Sequence, residues 1–196
     1  MSSSKKGSGF ERQIAKELSI WWSEGKREDI FYRSNASGAR FTQRKKAGKD
    51  TANQAGDLSF TDSEGELLIK NFNFELKTGY GTKTKSGITK WDVLDFIDSR
   101  QEEPVLMKMW KQCYRDAVST HRKPILIFRR NGRSPCIAFL AEYFNYLIGF
   151  FNLPESSIIQ IDGLVILSLN DFFVWIPNIR AALSIPKIKL NKRMNS

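Results

Sequence analysis

Two carboxylates and one lysine occupy positions where neighbouring strands would bring them together. Glu75 and Lys77 lie two residues apart at the end of an alternating apolar run, so on a β-strand their side chains emerge on one face. Asp57 follows Gly56 directly, before a short apolar segment. If the two strands are neighbours, Asp57 converges on Glu75, and two adjacent carboxylates repel each other unless a proton or a metal ion lies between them. Because oxygen ligands favour a hard cation, the pattern predicts an Mg²⁺ site, for which we expect Mn²⁺ to substitute.

Context distinguishes this Glu-x-Lys pattern from a second one in the chain. Glu24 and Lys26 have the same spacing but lie at the end of a predicted helix. Only Glu75 and Lys77 follow an apolar strand and precede a helix and a second buried strand. The alternatives are a solvated pair on a sheet surface for Glu75 and Lys77, and a turn or capping aspartate for Asp57.

Hydrophobic periodicity supplies the elements that would position these side chains. Apolar residues at steps of three and four predict helices, and short apolar runs predict strands. The order α-β-β-β-α-β indicates a mixed α/β class. The predicted elements are a helix over about 8–25, a strand at 30–33, segments 58–61 and 67–77 joined by a turn at 62–65 as a hairpin or two adjacent strands, a helix over 104–120 and a strand at 125–128.

The C-terminal part adds further predicted elements and many aromatic residues. We predict strands at 136–140 and 164–169, a helix over 141–151 and a last helix capped by Ser168 or Asn170 and interrupted by Pro177. Helix-spaced aromatic residues more often build a core than stack on bases, so we assign them to packing, with room for a dimer surface. They are Phe139, Tyr143, Phe144, Tyr146, Phe150, Phe151, Phe172, Phe173 and Trp175.

Charge indicates a polyphosphate partner. The 31 Lys and Arg residues exceed the 21 Asp and Glu residues by ten, and acid-free basic blocks cover 31–49, 121–133 and 180–196. Binding of cationic side chains to a duplex is favourable because it releases condensed counterions. The alternative interpretation of the blocks is a solvated surface with basic tails. A long basic loop over 34–55 and a Gly/Thr/Lys loop over 78–87 are the candidate DNA contacts. Their candidate DNA-binding residues are Arg40, Arg44, Lys45, Lys46, Lys83 and Lys85.

Composition bounds the class of protein. At 196 residues the chain has room for one main domain, and its apolar content is that of a globular protein. Because apolar segments are short and the N-terminus lacks an apolar leader, we expect a cytoplasmic protein that does not span a membrane. The two cysteines, Cys113 and Cys136, suit neither a disulfide framework nor a zinc site, so we expect them to be small buried groups.

Over residues 7–128 the chain resembles the PD-(D/E)XK nuclease superfamily, and within it the Holliday junction resolvase-like branch. Two departures are Gly56 in place of the proline of the name and a longer loop around Ser37. Residues after about 133 carry no part of the resemblance. The matching residues are Glu11, Arg33-Ser34, Ser37-Gly38, Gly56-Asp57, Glu75-Leu76-Lys77 and Gln112.

The resemblance implies a restriction endonuclease-like core with the order α-β-β-β-α-β, a mixed central sheet flanked by helices. It also implies that Asp57, Glu75 and the Leu76 carbonyl hold Mg²⁺, while Lys77 positions or deprotonates the attacking water. Glu11 would be an outer or second-metal ligand, although a glutamate is also favoured at a helix start by the helix dipole. By the same resemblance, the residues that contact DNA are Arg33, Ser37 and Gln112, the last of which could instead be a helix-surface amide.

These observations together predict a Mg²⁺-dependent DNA endonuclease, a Holliday junction resolvase acting on branched DNA as a homodimer. One small domain carries one metal site, so cuts in two opposing strands are most simply made by two copies. The alternatives are a site-specific endonuclease of homing or restriction type and a non-catalytic DNA-binding protein of the same fold. The predicted organisation is a flexible basic tail at 1–8, a nuclease-like core at 9–133, an aromatic-rich α/β extension packed on it at 134–186 and a basic tail at 187–196.

Overall fold

The computed structural model describes residues 3–34, 56–79, 82–84, 87–89, 103–149, 151, 158–177 and 179–183, with the backbone alone for 3–6, 82–84, 87–89, 181 and 182. The helices are α1 (Ser3–Trp22), α2 (Glu66–Asn71), α3 (Val105–Ser119), α4 (Ala141–Ile148), α5 (Leu169–Trp175) and α6 (Arg180–Leu183), with a 3₁₀ turn at Ser63–Gly65. The strands are β1 (Phe31–Arg33), β2 (Leu58–Phe60), β3 (Phe72–Thr78), β4 (Thr82–Thr84), β5 (Gly87–Thr89), β6 (Lys123–Arg129), β7 (Cys136–Leu140), β8 (Ile159–Ile161) and β9 (Leu164–Ser168).

Five of these strands form one mixed sheet in the order β3-β6-β7-β9-β8. β3 and β6 are parallel, and the other pairs are antiparallel. A parallel pair needs a crossover connection, and α3 supplies it between β3 and β6. Strands β1 and β2 form a separate antiparallel pair, as do β4 and β5. The mixed α/β class and the helix-flanked mixed sheet predicted from the sequence are confirmed.

Helices cover both faces of the sheet. On one face, α1, α4 and α5 pack against Phe72, Phe74 and Leu76 of β3 and against the apolar side chains of the other strands. On the opposite face, α3 packs through Trp110 and Cys113 against β6, β7 and β9. Asn73, Glu75 and Lys77 alternate with the apolar residues of β3, so they lie on the α3 face.

Helix α1 begins earlier than the sequence predicted. It starts at Ser3, so most of the 1–8 segment predicted as a tail has a helical backbone. The apolar stripe that begins at Phe10 forms a packed helix, and extending a formed helix by one residue costs far less than nucleating a new one. The helix ends where the Gly25 N–H donates to the Ile20 carbonyl at 2.7 Å and Gly25 has a φ of +84°. This left-handed glycine is the predicted stop signal.

The hairpin predicted between 58–61 and 67–77 does not form, because Leu58–Phe60 pairs with β1, and the prediction of a strand over 67–77 is wrong for its first half. Residues Glu66–Asn71 form α2, and only Phe72–Thr78 is a strand. A short apolar run is compatible with either element, and here the preceding turn decides. Asp62 accepts a hydrogen bond from the Glu64 N–H at 2.9 Å, which starts a 3₁₀ turn that leads into α2.

Two strand elements fall outside the sequence prediction. The segment read as a Gly/Thr/Lys loop contains β4 and is followed by β5, so it is part of a hairpin. Threonine and isoleucine favour extended backbone, which the glycine content of the segment obscured. Strand β8 lies at the edge of the sheet and exposes most of its residues, so its sequence carries little hydrophobic alternation.

The C-terminal elements continue the same sheet and core. β7, β9 and β8 extend the sheet beyond β6, and Ser168 caps α5 as predicted by accepting from the Asp171 N–H at 3.1 Å. Phe139 and Phe172 lie 5.9 Å apart in the core that also holds α1. The aromatic residues described in this part therefore pack, as the sequence predicted, and Phe150 lies outside the described residues.

Both cysteines are free thiols, Cys113 buried and Cys136 partly buried. Within the residues that the structure describes, no helix is long and apolar enough to span a bilayer.

Candidate active site

The outer edge of β3 holds Asp57 against the backbone of the strand. The Asp57 N–H donates to the Phe74 carbonyl at 2.8 Å, and the Leu76 N–H donates to Asp57 Oδ2 at 2.7 Å. The Asp57 carbonyl in turn accepts from the Ser34 N–H at 2.8 Å. Three backbone contacts therefore fix both the main chain and the carboxylate of Asp57 beside Glu75 and Lys77.

Gly56 permits this close approach. It has a φ of +88°, and a Cβ placed on it would lie 2.9 Å from the Phe74 carbonyl oxygen and 2.9 Å from Asn73 Oδ1. Proline has a φ near −65°, so it cannot adopt this backbone conformation. The glycine in place of the proline of the motif name thus has a local structural reason.

Glu75 lies between a cation and an amide. Its Oε1 forms an ion pair with Lys77 Nζ and accepts a hydrogen bond from Gln112 Nε2 at 3.1 Å. The Glu75 and Lys77 side chains are 8% and 14% exposed, so the pair is shielded from bulk water rather than solvated on a sheet surface. Gln112 was predicted to contact DNA, and the structure places its amide on Glu75.

Glu11 of α1 faces the same site and is paired with Arg33. Arg33 Nε donates to Glu11 Oε2, and the Glu11 side chain is only 14% exposed. The charge of Glu11 also contributes to raising the pKa of both Asp57 and Glu75, which places it within electrostatic range of the two carboxylates. The structure therefore brings together Glu11, Arg33, Asp57, Glu75, Leu76, Lys77 and Gln112.

Burial raises the pKa of both carboxyl groups in the site. Loss of solvent, and then the negative charge of Glu75, raises the pKa of Asp57 to about 7, although the Leu76 N–H favours the ionised form. Burial also raises the pKa of Glu75, against the opposing effect of Lys77. A divalent cation bound between two buried carboxylates with raised pKa values would favour their ionised forms.

The donor set fits a hard divalent cation with oxygen ligands. Among the described side chains, no three His, Cys, Asp or Glu residues form a metal-holding group. The candidate ligands are instead the carboxylates of Asp57 and Glu75 with one backbone oxygen. In an extended strand the N–H and C=O of one residue face the same edge, so the Leu76 carbonyl faces the edge where its N–H meets Asp57. Two carboxylates and one carbonyl are ligands that Mg²⁺ accepts.

Asn73 is a residue near the site that sequence reasoning missed. It lies on the same face as Glu75 and Lys77 and is fully buried. Within the described part of the chain, neither atom of its amide has a hydrogen-bond partner. The alternation of β3 could have identified it as an inward polar residue, but its contact with Gly56 depends on the tertiary fold.

Several predicted site residues lie outside the described part of the chain. Lys83 belongs to β4, whose backbone alone is described. The predicted DNA-binding residues outside the described residues are Ser37, Arg40, Arg44, Lys45, Lys46 and Lys85.

The second Glu-x-Lys segment is an exposed turn after α1, as expected from the sequence, and Glu24 there has a φ of 54°.

Comparison with models of known protein families gives a match. A family model described as “Phage putative PDDEXK endonuclease” matches residues 2–160, most of the chain. The chain belongs to this family. The PDDEXK match extends past residue 128, where the resemblance seen in the sequence ended, and includes β7 and α4. No curated protein and no solved structure matches the chain.

Membership of the PDDEXK endonuclease family makes the chain a member of the PD-(D/E)XK superfamily, whose nucleases act on DNA and generally use divalent metal ions. The side chains gathered around Asp57 and Glu75 all lie inside the matched range.

Proposed function

We propose that this PDDEXK endonuclease hydrolyses DNA phosphodiester bonds with Mg²⁺ held by Asp57, Glu75 and the Leu76 carbonyl. The observation that carries the proposal is the hydrogen bond from the Leu76 N–H to Asp57 Oδ2 at 2.7 Å. It holds Asp57 at the edge of the strand that carries Glu75 and Lys77, where burial and the negative charge of Glu75 raise the pKa of Asp57.

Each residue has a distinct part in the proposed reaction. A bound Mg²⁺ supplies an acidified water and offsets negative charge on the phosphate. Lys77 forms an ion pair with Glu75, and in this proposal its ammonium orients or deprotonates the attacking water. Gln112 holds Glu75 Oε1 in place from the α3 side, so it acts as a positioning residue.

Glu11 and Arg33 form the outer part of the proposed site. Glu11 is an outer or second-metal ligand, and Arg33 balances its charge in the metal-free chain. In this proposal Arg33 and Ser37, with the basic residues Arg40, Arg44, Lys45, Lys46, Lys83 and Lys85, contact DNA phosphates.

Removal of single ligands tests the proposed metal site. Asp57→Asn and Glu75→Gln should each abolish cleavage with Mg²⁺ or Mn²⁺. DNA binding in EDTA should persist, because neither change removes a positively charged side chain. Lys77→Ala should lose cleavage but keep Mg²⁺ binding by calorimetry. Glu24→Gln, in the second Glu-x-Lys segment, is the matched control and should cleave like the wild type. Cleavage at the wild-type rate by Asp57→Asn or Glu75→Gln would reject the site.

For the substrate we propose branched DNA cut by a homodimer, on the grounds that paired cuts in opposing strands need two active sites and that phosphate contacts recognise shape without reading bases. Competition between a four-way junction and a linear duplex of equal length, with the mass measured by light scattering, tests this. A monomer that cuts linear duplex at one defined sequence would instead identify a site-specific endonuclease. Sequence-independent binding with no cleavage under any divalent ion would identify a non-catalytic DNA-binding protein.

A further inference from the structure

Strand β6 divides one basic block of the sequence between two ends of the sheet. His121, Arg122 and Lys123 precede or begin the strand, where Lys123 is paired with Phe72 at the start of β3. Arg130 and Arg133 follow the strand, at the end where β3 carries Lys77. The two halves of the block, which are separated in sequence only by β6, therefore lie at opposite ends of this strand.

At the start of β6, Arg122 and Lys123 pack against the rest of the fold. Arg122 is 6% exposed, and Lys123 Nζ lies 4.6 Å from the centre of the Tyr143 ring. Burial lowers the pKa of both side chains. A buried arginine and a lysine over an aromatic ring stabilise the fold and are poorly placed to reach a DNA backbone.

The other half forms a closed turn at the catalytic end of the sheet. The Arg133 N–H donates to the Arg130 carbonyl at 3.1 Å, and Gly132 between them has a φ of +69°. Such a turn holds the Cα atoms of its first and last residues within about 7 Å of each other. Arg130 and Arg133 are both exposed, so one turn carries two solvent-accessible arginine side chains.

The register of the sheet places this turn next to the candidate active site. Phe128 is paired with Lys77, and Arg130 follows two residues later, about 7 Å further along the strand direction. The Gly79 N–H donates to the Arg129 carbonyl at 3.2 Å, which joins the end of β3 to the start of the turn.

Arg129 ties the same turn to α1. Its Nη1 donates to Gln13 Oε1 at 2.9 Å, and its guanidinium lies 4.5 Å from the centre of the Phe10 ring. Glu11 lies between those two helix residues. The turn is thus held by the two elements that carry Lys77 and Glu11, so its distance from the site is constrained.

We propose that the turn from Arg130 to Arg133 is a DNA phosphate clamp that holds the strand beside the bond to be cut. The proposal rests on the proposed nuclease function. It adds that the DNA lies on the β6 side of Lys77. Arginine suits the task because its planar guanidinium donates two parallel hydrogen bonds to a phosphate. The segment from Lys123 to Ala141 contains no acidic residue that would oppose phosphate binding.

Salt-dependent binding tests the clamp without requiring cleavage. Binding of a labelled linear duplex is measured in EDTA over a range of KCl concentrations, for the wild type and for Arg130→Ala/Arg133→Ala. The double variant should flatten the log-log salt slope by about 1.8, since each lost phosphate contact removes about 0.9, and should weaken binding roughly tenfold or more near 0.1 M salt. Arg130→Lys/Arg133→Lys retains the charges and should keep most of the slope.

Lys26→Ala/Lys70→Ala is the matched control, because it removes two exposed positive charges, one four residues after the end of α1 and one in the last turn of α2. Its slope should stay near that of the wild type. An unchanged slope in the Arg130/Arg133 variant, or an equal loss in the control, would overturn the clamp, as would a wild type that does not bind duplex. A separate arm with Mg²⁺ or Mn²⁺ measures cleavage. If the wild type never cleaves while the slope responds as expected, the phosphate contacts of Arg130 and Arg133 stand and the proposed nuclease function fails.

Discussion

Leu76 and Asp57 are nineteen positions apart in sequence, yet the Leu76 N–H donates to Asp57 Oδ2 at 2.7 Å. The contact uses the edge of β3 that no strand of the five-stranded sheet covers, since β3 is a terminal strand of that sheet. An exposed strand edge carries unpaired backbone groups, and here Asp57 satisfies two of them, the Phe74 carbonyl and the Leu76 N–H. The same contact therefore completes the sheet edge and orients the carboxylate.

Gly56→Ala should destabilise the fold and displace Asp57. The substitution places a Cβ 2.9 Å from the Phe74 carbonyl oxygen at a backbone φ of +88°. A left-handed non-glycine residue costs about 1–2 kcal/mol, and overpacking adds about 1–3 kcal/mol. Gly25→Ala is the control, because Gly25 has a φ of +84° but no atom within 4 Å of the added Cβ. Urea denaturation should show a clearly larger loss for Gly56→Ala, and equal losses would exclude the clash.

The metal-free chain should lose stability as the pH rises from about 4 to about 7. The folded pKa of Asp57 is raised from 3.8 to about 7, so over this range the folded chain retains a proton that the unfolded chain has released. The free energy of unfolding then falls with increasing pH. Melting temperatures measured in EDTA should show this fall in the wild type and a smaller one in Asp57→Asn.

Asp162→Asn changes an exposed aspartate in a turn and serves as the control for this pH dependence. It should follow the wild-type profile. Matching profiles for Asp57→Asn and the wild type would show that the proton is held elsewhere.

Gln112→Ala should lower kcat while leaving DNA affinity unchanged. The Gln112 amide donates to Glu75 Oε1 at 3.1 Å, and a hydrogen bond to a charged acceptor contributes about 1.5–3 kcal/mol. Loss of positioning should therefore reduce kcat by roughly tenfold or more. Gln112→Glu should be more harmful because it sets another carboxylate against Glu75. Weaker DNA binding in EDTA, with kcat retained, would instead support the DNA contact predicted from the sequence.

Phe139→Ala should destabilise the whole chain in one transition. Phe139 is 1% exposed and contacts Tyr143, Phe144 and Phe172 in the core that also contains α1. Truncation of a buried phenylalanine costs about 3–5 kcal/mol. Val174→Ala, at a side chain 65% exposed, should change stability by less than about 0.5 kcal/mol. Two separate unfolding transitions in calorimetry would mean that residues 134–186 form an independent unit.

Local pattern was sufficient for the elements that build the core. The run from Cys136 to Leu140 is a strand with the predicted bounds, and α3 differs from its prediction by one residue at each end. Both segments have apolar residues at one clear period, and burial of an apolar face is what stabilises such elements. Where the period was ambiguous, as in Glu66–Asn71, the cap at Asp62 decided the outcome.

The sequence by itself indicated which chemistry the chain can perform. Glu75 and Lys77 have the spacing that places two side chains on one face of a strand, and Asp57 directly precedes another predicted strand. Only the tertiary structure decided that Asp57 meets Leu76, that Gln112 meets Glu75 and that one basic block is split between buried and exposed ends. Periodicity reports which face of an element is apolar, and it carries no information on which distant elements become neighbours. That choice is made by strand pairing and by the packing of α1 and α3 on opposite faces of the sheet.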